Sequence, residues 1–276
     1  MRDGLSFESF VNGRGVDVTA FIGQWPFRYW SQASAEDLMR MADRLGLVGL
    51  CVSHLASVFG HDTRSGNEAL LAQAAADERL WPFVVLNPAE PGWEAELDYA
   101  ERNGARGVRL LPGYHGYAIN GQHAAELIAA LRERGLPLSV IARLQDERLQ
   151  HPRYPAETVP VHAIAELIGT CGGHPLLISG LRDYEWDAVM RFRTSDWRLD
   201  RVIFDLWYIN GPLAVIAQLC QRGGAGAFAY SSCAPLQEMG ATALQLAAAN
   251  ISEADRLALC RDNALRFLGM NDCPVG

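Results

Sequence analysis

The chain has 276 residues, of which 49% are apolar and 20% charged. That composition can bury a large core and excludes the disordered classes. All 24 positive charges are Arg and the formal net charge is −8, which argues against a general nucleic-acid binder, since that role needs a basic face.

Without Lys, no Schiff base can form and no carbamylated Lys can bridge two metals. Apolar runs fall short of the roughly 20 residues a membrane span needs. No basic-then-apolar leader opens the sequence, so a cytoplasmic location is expected. The six cysteines are scattered, with no Cys-x-x-Cys pair, which fits a reducing compartment and argues against a zinc knuckle.

In chain order, short β-branched runs alternate with amphipathic stretches. The pattern predicts strands over Gly15–Ile22, Leu47–His54, Trp81–Asn87, Gly107–Leu111, Leu136–Arg143, Leu176–Gly180, Arg201–Leu206 and Ala225–Ser232. Helices are predicted over Ser34–Leu45, Gly66–Glu78, Trp93–Asn103, Gln122–Arg134, Val161–Thr170, Tyr184–Arg193, Pro212–Arg222 and Pro235–Ala248. Eight βα repeats imply parallel strands closing into one α/β (β/α)8 TIM barrel. Ser252 is placed to cap a final helix that Gly269 ends.

The whole of 1–276 reads as one domain, with residues 1–13 as a short cover over the barrel bottom. The connection 144–160 carries three prolines and a dense charge run, which suits a lid or ligand loop. A solvated, self-paired charge run is the plain alternative.

Barrels of this kind work at the C-terminal ends of their strands. That face is expected to present Arg28, His54, Asn87, Arg109, His115, Arg143, Asp146, Arg148, His151, Asp205, Trp207 and Cys233. Arg28 follows Trp25-Pro26-Phe27, an aromatic loop that could wall one side of a cleft. Arg109 and Arg143 lie at strand ends, where an Arg fork matches a carboxylate; pairing with Asp146, Glu147 or Asp205 is the structural alternative. His115 and His151 are candidates for general acid or base, with Asp205 or Asp146 as the second proton-transfer or orienting group. Trp207 could stack on a ligand. Cys233 is a candidate nucleophile or an inert buried thiol. Ser231-Ser232 lacks the Gly-x-Ser-x-Gly elbow.

Five segments resemble the amidohydrolase superfamily, in its branch of small barrels that includes decarboxylases and lactonases. Asp17-Val-Thr-Ala-Phe-Ile-Gly23 resembles that branch's first strand, Asp-x-His-x-His-x-Gly. Gly107-Val-Arg-Leu-Leu-Pro-Gly113 is similar to its fourth strand and Arg201-Val-Ile-Phe-Asp205 to its seventh. Tyr230-Ser-Ser-Cys-Ala-Pro-Leu236 resembles its eighth, Phe-Gly-Thr-Asp-x-Pro. Asn263-Ala-Leu-Arg-Phe-Leu-Gly269 resembles its closing helix. Against that pattern, Thr19 and Phe21 stand in place of the first-strand histidines. Ile141 or Ala142 stands at the fifth-strand His, Ser179 or Gly180 at the sixth-strand His, and Cys233 at the eighth-strand Asp.

A catalytic zinc needs about three imidazole or carboxylate ligands, so the resemblance implies a fold without the usual metal site. One zinc at a site rebuilt from His54, His61, His115 or His151 is the alternative. The expected activity is metal-independent hydrolysis or decarboxylation of a small carboxylate-bearing molecule, with no cofactor. The competing expectation is an inactive ligand-binding protein or partner subunit. A homodimer is compatible with the exposed aromatics.

Overall fold

The computed structural model describes residues 6–27, 33–59, 62–212 and 214–271. Eight strands run in parallel order: β1 (Val16–Ile22), β2 (Gly49–His54), β3 (Leu80–Val85), β4 (Gly107–Leu110), β5 (Leu138–Ile141), β6 (Leu176–Ser179), β7 (Val202–Asp205) and β8 (Phe228–Ala229). A helix follows each: α1 (Ala35–Arg44), α2 (Arg64–Ala74), α3 (Trp93–Arg102), α4 (Gln122–Arg134), α5 (Val161–Cys171), α6 (Asp183–Met190), α7 (Val215–Gly223) and α8 (Met239–Ala248). Isolated bonds join the two ends of the sheet. Val18 N donates to Tyr230 O at 3.2 Å, and Phe21 N donates to Ala234 O at 2.7 Å. The chain is a single (β/α)8 barrel.

Strand alternation builds two shells. On β4 to β6, Val108, Leu110, Leu138, Val140, Leu176 and Ile178 face outward and pack with helix residues such as Leu127 and Ile164. Their neighbours in sequence therefore point to the axis. Two apolar clusters form there. One joins Val18, Cys51, Phe83, Leu177 and Ile203. The other joins Phe21, Val85, Leu111, Ile141, Trp207 and Cys233.

The eighth strand is shorter than the predicted Ala225–Ser232. Ala225–Ala227 forms a 3-10 turn after Gly224. The Asn263 side chain donates to Ala225 O at 2.8 Å and Phe228 O at 2.7 Å. These carbonyls are held from outside the sheet, so the ladder begins late. The closing helix starts at the predicted cap, where Ser252 Oγ accepts from Asp255 N at 3.1 Å. It ends at Gly269. Among the described residues, no helix is long and apolar enough to cross a membrane.

Candidate functional site

Arg109 fixes the chemistry of the axis. Val108 and Leu110 face the helices, so Arg109 is forced inward, where it is fully buried. Its Nε donates to Ser139 Oγ at 3.3 Å. Nη1 donates to Ala20 O at 3.1 Å and Ser53 Oγ at 3.0 Å. Nη2 donates to Val18 O at 3.0 Å and Cys51 O at 3.1 Å. A guanidinium has five N–H donors, and all five are engaged with the barrel wall. The carbon at its centre lies 5.1 Å from the Phe21 ring and 5.5 Å from the Phe83 ring. It sits between the two apolar clusters. The expected anion clamp is therefore corrected: Arg109 ties three strands together and has no donor left for a ligand.

Two buried carboxylates share this layer. Asp205 Oδ2 accepts from Thr19 Oγ1 at 2.8 Å, and Oδ1 accepts from Gly180 N at 3.0 Å. Burial raises its pKa to about 6, against the hydrogen bonds from Ser179, Gly180 and Thr19. Asp17 accepts from Thr19 N at 3.0 Å, Ser232 N at 3.1 Å and Ser232 Oγ at 2.5 Å. Burial raises Asp17 to about 7. Thr19 links the two acids. Trp207 covers the layer: its Nε1 donates to Ser179 Oγ at 3.0 Å, and its backbone N donates to Ser231 Oγ at 3.1 Å. Trp207 is buried within the mouth cluster, which removes its faces from a ligand. Cys233 is buried there too, and burial pushes its thiol well above the ordinary range. That opposes the nucleophile reading, because the thiolate is the reactive form.

The other candidates separate. Arg143 meets Glu185 in a two-bond fork, Nη1 to Oε2 at 2.7 Å and Nη2 to Oε1 at 2.6 Å. Its charge is matched by Glu185 on α6 and, at 3.6 Å, by Glu147, one of the acids named from the sequence. Arg148 is 87% exposed along its side chain and pairs with Asp146 at 2.8 Å. The hydrogen bonds from Arg148 hold the Asp146 carboxyl below the usual range. Asp146 thus stays ionised near neutral pH and is poorly matched to proton transfer.

Asn87 Oδ1 accepts from Ala89 N at 3.1 Å, closing a local turn. His54 Nδ1 accepts from Ala56 N at 3.1 Å, and burial lowers its pKa, so the ring stays neutral. Its ring fills the space beside Gly23, whose φ is +91°, and a Cβ there would lie 2.7 Å from the imidazole. His115 Nε2 lies 3.2 Å from Ser57 O. Arg28 and His61 lie outside the described residues. Among the described residues, His115, His151, Asp146 and Asp205 each bond to a different partner: Ser57, Arg153, Arg148 and Thr19.

One open feature at the rim is a cleft of about 440 Å³, lined by Pro26, Phe27, Phe59, Tyr114, Tyr154 and Pro155. Four rings supply its walls. Phe27 meets Tyr154 at 5.2 Å and Phe59 at 5.7 Å between centroids, and Phe59 meets Tyr114 at 5.5 Å. His151 stacks on Phe27 at 4.7 Å with the planes 15° apart. Phe27 remains 39% exposed and Tyr154 58%.

Local hydrogen bonds set this geometry. The Gln150 side chain grips Ala156, with Nε2 donating to its O at 3.0 Å and Oε1 accepting from its N at 2.9 Å. The segment 150–156 is thereby folded into a loop that carries both His151 and Tyr154. Arg182 holds the preceding turn, 3.3 Å from Glu147 and 3.8 Å from Asp146. Sequence reasoning found Phe27 and His151 separately. It missed Phe59 and Tyr154, which stand on loops where no periodicity reports a side chain's direction.

Comparison with known proteins places this geometry. Residues 50–179 match the amidohydrolase family model. That match spans 130 of the 276 residues. No curated protein matches it.

Among solved structures, it is similar to a dihydroxybenzoic acid decarboxylase from Polaromonas with bound manganese and 2-nitroresorcinol. The TM-score is 0.71 at 15% identity, covering 94% of this chain and 97% of that one. A 2,6-dihydroxybenzoate decarboxylase from Rhizobium matches with TM-score 0.69 at 16% identity, over 92% and 98% of the two chains. A putative 2-pyrone-4,6-dicarboxylic acid hydrolase from Pseudomonas putida matches with TM-score 0.68 at 18% identity, over 94% and 98%. These identities establish a shared fold.

The decarboxylase neighbour that holds manganese invites a test of the positions where the sequence resemblance expects metal ligands. Phe21 and Ile141 offer no donor atom, and Cys233 is a buried thiol. Both Asp205 oxygens accept hydrogen bonds from Thr19 and Gly180. Such a donor set does not fit a zinc or manganese ion, which takes imidazole and carboxylate ligands. Among the described residues, no three His, Cys, Asp or Glu side chains are grouped to hold one.

Proposed function

We propose that this amidohydrolase barrel takes a small ring-bearing molecule into the rim cleft and works without an axial metal. The observation that supports the reading is the set of four rings around an open volume of about 440 Å³, within the range of small-molecule sites. Aromatic walls favour a flat apolar ring, by stacking or edge contacts of about 0.5–1.5 kcal/mol each beyond area burial. A carboxylate anchor is less favoured than the sequence led us to expect, because Arg109 and Arg143 are engaged within the barrel. The loop within 144–160 that carries His151 and Tyr154 forms the outer wall, the position a lid would take.

A second reading is hydrolysis or decarboxylation in the same cleft, and one observation favours it. His151 Nδ1 accepts from Arg153 N at 3.2 Å, so the neutral ring carries its proton on Nε2. That imidazole, stacked on Phe27, would be the proton-transfer group.

Titration with resorcinol and with 2,6-dihydroxybenzoate, followed by protein NMR, tests both readings. The first predicts that resorcinol perturbs Phe27, Phe59 and Tyr154, and that Phe27→Ala and Tyr154→Ala each weaken binding about fivefold. Perturbation only at Arg109 and Asp205 would overturn it. Carbon dioxide release from the benzoate, lost in His151→Ala while binding persists, would establish the second reading; no release in the wild type would dismiss it for this substrate.

A further inference from the structure

We infer that this chain has a second small-molecule site, distinct from the rim cleft, which takes a small neutral polyol such as a monosaccharide. The site is a cavity of about 340 Å³ between the turn after β3 and the first turns of α2 and α3. That volume lies within the roughly 300–1,000 Å³ common for ligand pockets. Volume selects no ligand; the side chains in the wall do. The cavity shares no lining residue with the rim cleft, and the inference does not rest on what occupies that cleft.

Asn87 carries the argument. It stands two residues past β3 and is only 5% exposed. Its Oδ1 accepts from Ala89 N at 3.1 Å, and its backbone O accepts from Glu90 N at 3.1 Å. Only the oxygen of a side-chain amide accepts from a backbone N–H, so the two amide atoms are assigned and Nδ2 points away from that turn. Among the described residues Nδ2 has no hydrogen-bond partner, yet it is not one of the unpaired atoms sealed from solvent. Asn87 lines the cavity, so this donor opens into it. Buried amides seldom keep a free donor.

Thr63 adds a hydroxyl. It is 7% exposed and occupies the cap position of α2, yet its side chain does not cap that helix. Asp62 serves there instead, accepting from Ser65 N at 3.1 Å and from Ser65 Oγ at 2.6 Å. The Thr63 hydroxyl has no partner among the described residues, is likewise unsealed, and lines the same cavity.

The rest of the polar wall is acidic. Asp62, Glu90 and Glu96 line it with a single cation, Arg64. Arg64 is engaged with Glu68 at 2.6 Å and Glu96 at 2.9 Å. Three carboxylates against one paired Arg disfavour an anion. An ammonium ligand would suit the carboxylates but offers no acceptor to Asn87 or Thr63. Among the described residues no three His, Cys, Asp or Glu side chains are grouped to hold a metal. A hydroxyl both donates and accepts. Neighbouring hydroxyls on one ligand can therefore accept from Asn87 and donate to the carboxylates. Trp93 brings a ring to the same wall for the ligand's C–H face.

The test titrates the full chain with myo-inositol and with methyl glucoside, followed by NMR, with acetate and methylammonium as charged counterparts. We expect both polyols to shift the Asn87 side-chain amide and the backbone amides of 62–65 and 87–96, and each ion to bind at least tenfold more weakly. Asn87→Asp keeps the acceptor for Ala89 and exchanges the free donor for an acceptor. Thr63→Val keeps the shape and removes the hydroxyl. Each should weaken polyol binding at least fivefold. Tyr154→Ala, which alters only the rim cleft, should leave the shifts in place. The inference is overturned if neither polyol shifts these amides, if either ion binds as tightly, or if both variants keep the wild-type affinity. The Asn87 side-chain resonance of the wild type decides independently of any variant: if it stays unshifted at saturation, the free donor does not meet the ligand and the inference fails.

Discussion

The barrel axis and the rim cleft lie at the same face of the molecule and handle polar and aromatic side chains in opposite ways. On the axis, Arg109, Asp17, Asp205 and their serine partners turn every charge onto another part of the wall. Phe21, Ile141 and Trp207 close over them. At the rim, four rings meet one another yet leave Phe27 and Tyr154 open to solvent. A (β/α)8 barrel can thus hold a polar layer on its axis, provided that layer is internally satisfied. In the proposed function, binding falls to the loops, where side chains can face outward without loosening the core.

The sharpest way to break the comparison is to remove Arg109. Arg109→Ala strips hydrogen bonds from three backbone carbonyls and leaves Asp17 and Asp205 without the nearby cation. It should cost about 3–5 kcal/mol of stability, as loss of one partner in a buried charged network does. Urea unfolding measures it, and a loss below about 1 kcal/mol would mean the plug is not structural. Arg143→Ala strands the Glu185 carboxylate and should cost about 3 kcal/mol. A double-mutant cycle with Glu185→Ala should recover part of that loss. An Arg143 that served ligands instead would show little coupling.

A smaller effect sharpens the account of the acids. Asp17 and Asp205 have folded-state pKa values raised to about 7 and about 6. Unfolded aspartate titrates near 3.9. At these two sites the native state therefore holds more protons than the unfolded chain between about pH 4 and 7, and their contribution to stability falls as pH rises through that window, against the opposite contribution of His54 and His174, whose pKa values burial lowers. The favourable contribution is full below about pH 4 and lost above about pH 7. Asp205→Asn should remove its part of the pH dependence between pH 4 and 6, and a variant whose stability follows the same pH slope as the wild type would contradict the burial. The smallest effect belongs to the rim. Tyr154→Ala should change stability by less than about 1 kcal/mol, as exposed loop positions do, while weakening ring ligands.

Fold and site were unequally legible. Eight alternations of strand and helix patterning located the barrel because each element's apolar period follows from its burial. The same parity argument fixes Arg109: Val108 and Leu110 must face the helices, so the residue between them must face the axis. Its position at a strand end looked like a ligand site, but two residues along a strand separate a buried plug from an open mouth. Arg143 was ambiguous for another reason. Its partner Glu185 lies 42 positions away on α6, and no local spacing announces a pair across two βα units. Phe59 and Tyr154 were invisible because loops carry no period. Only the Gln150 grip on Ala156 and the ring contacts decide where they point.

The most direct test of the central claim is manganese and zinc titration of chelator-treated protein by calorimetry, with Asp205→Asn as the control. The account predicts no stoichiometric binding in either protein at micromolar metal. One ion bound per chain in the wild type and lost in Asp205→Asn would contradict it, because Asp205 would then be a ligand instead of the partner of Thr19 and Gly180.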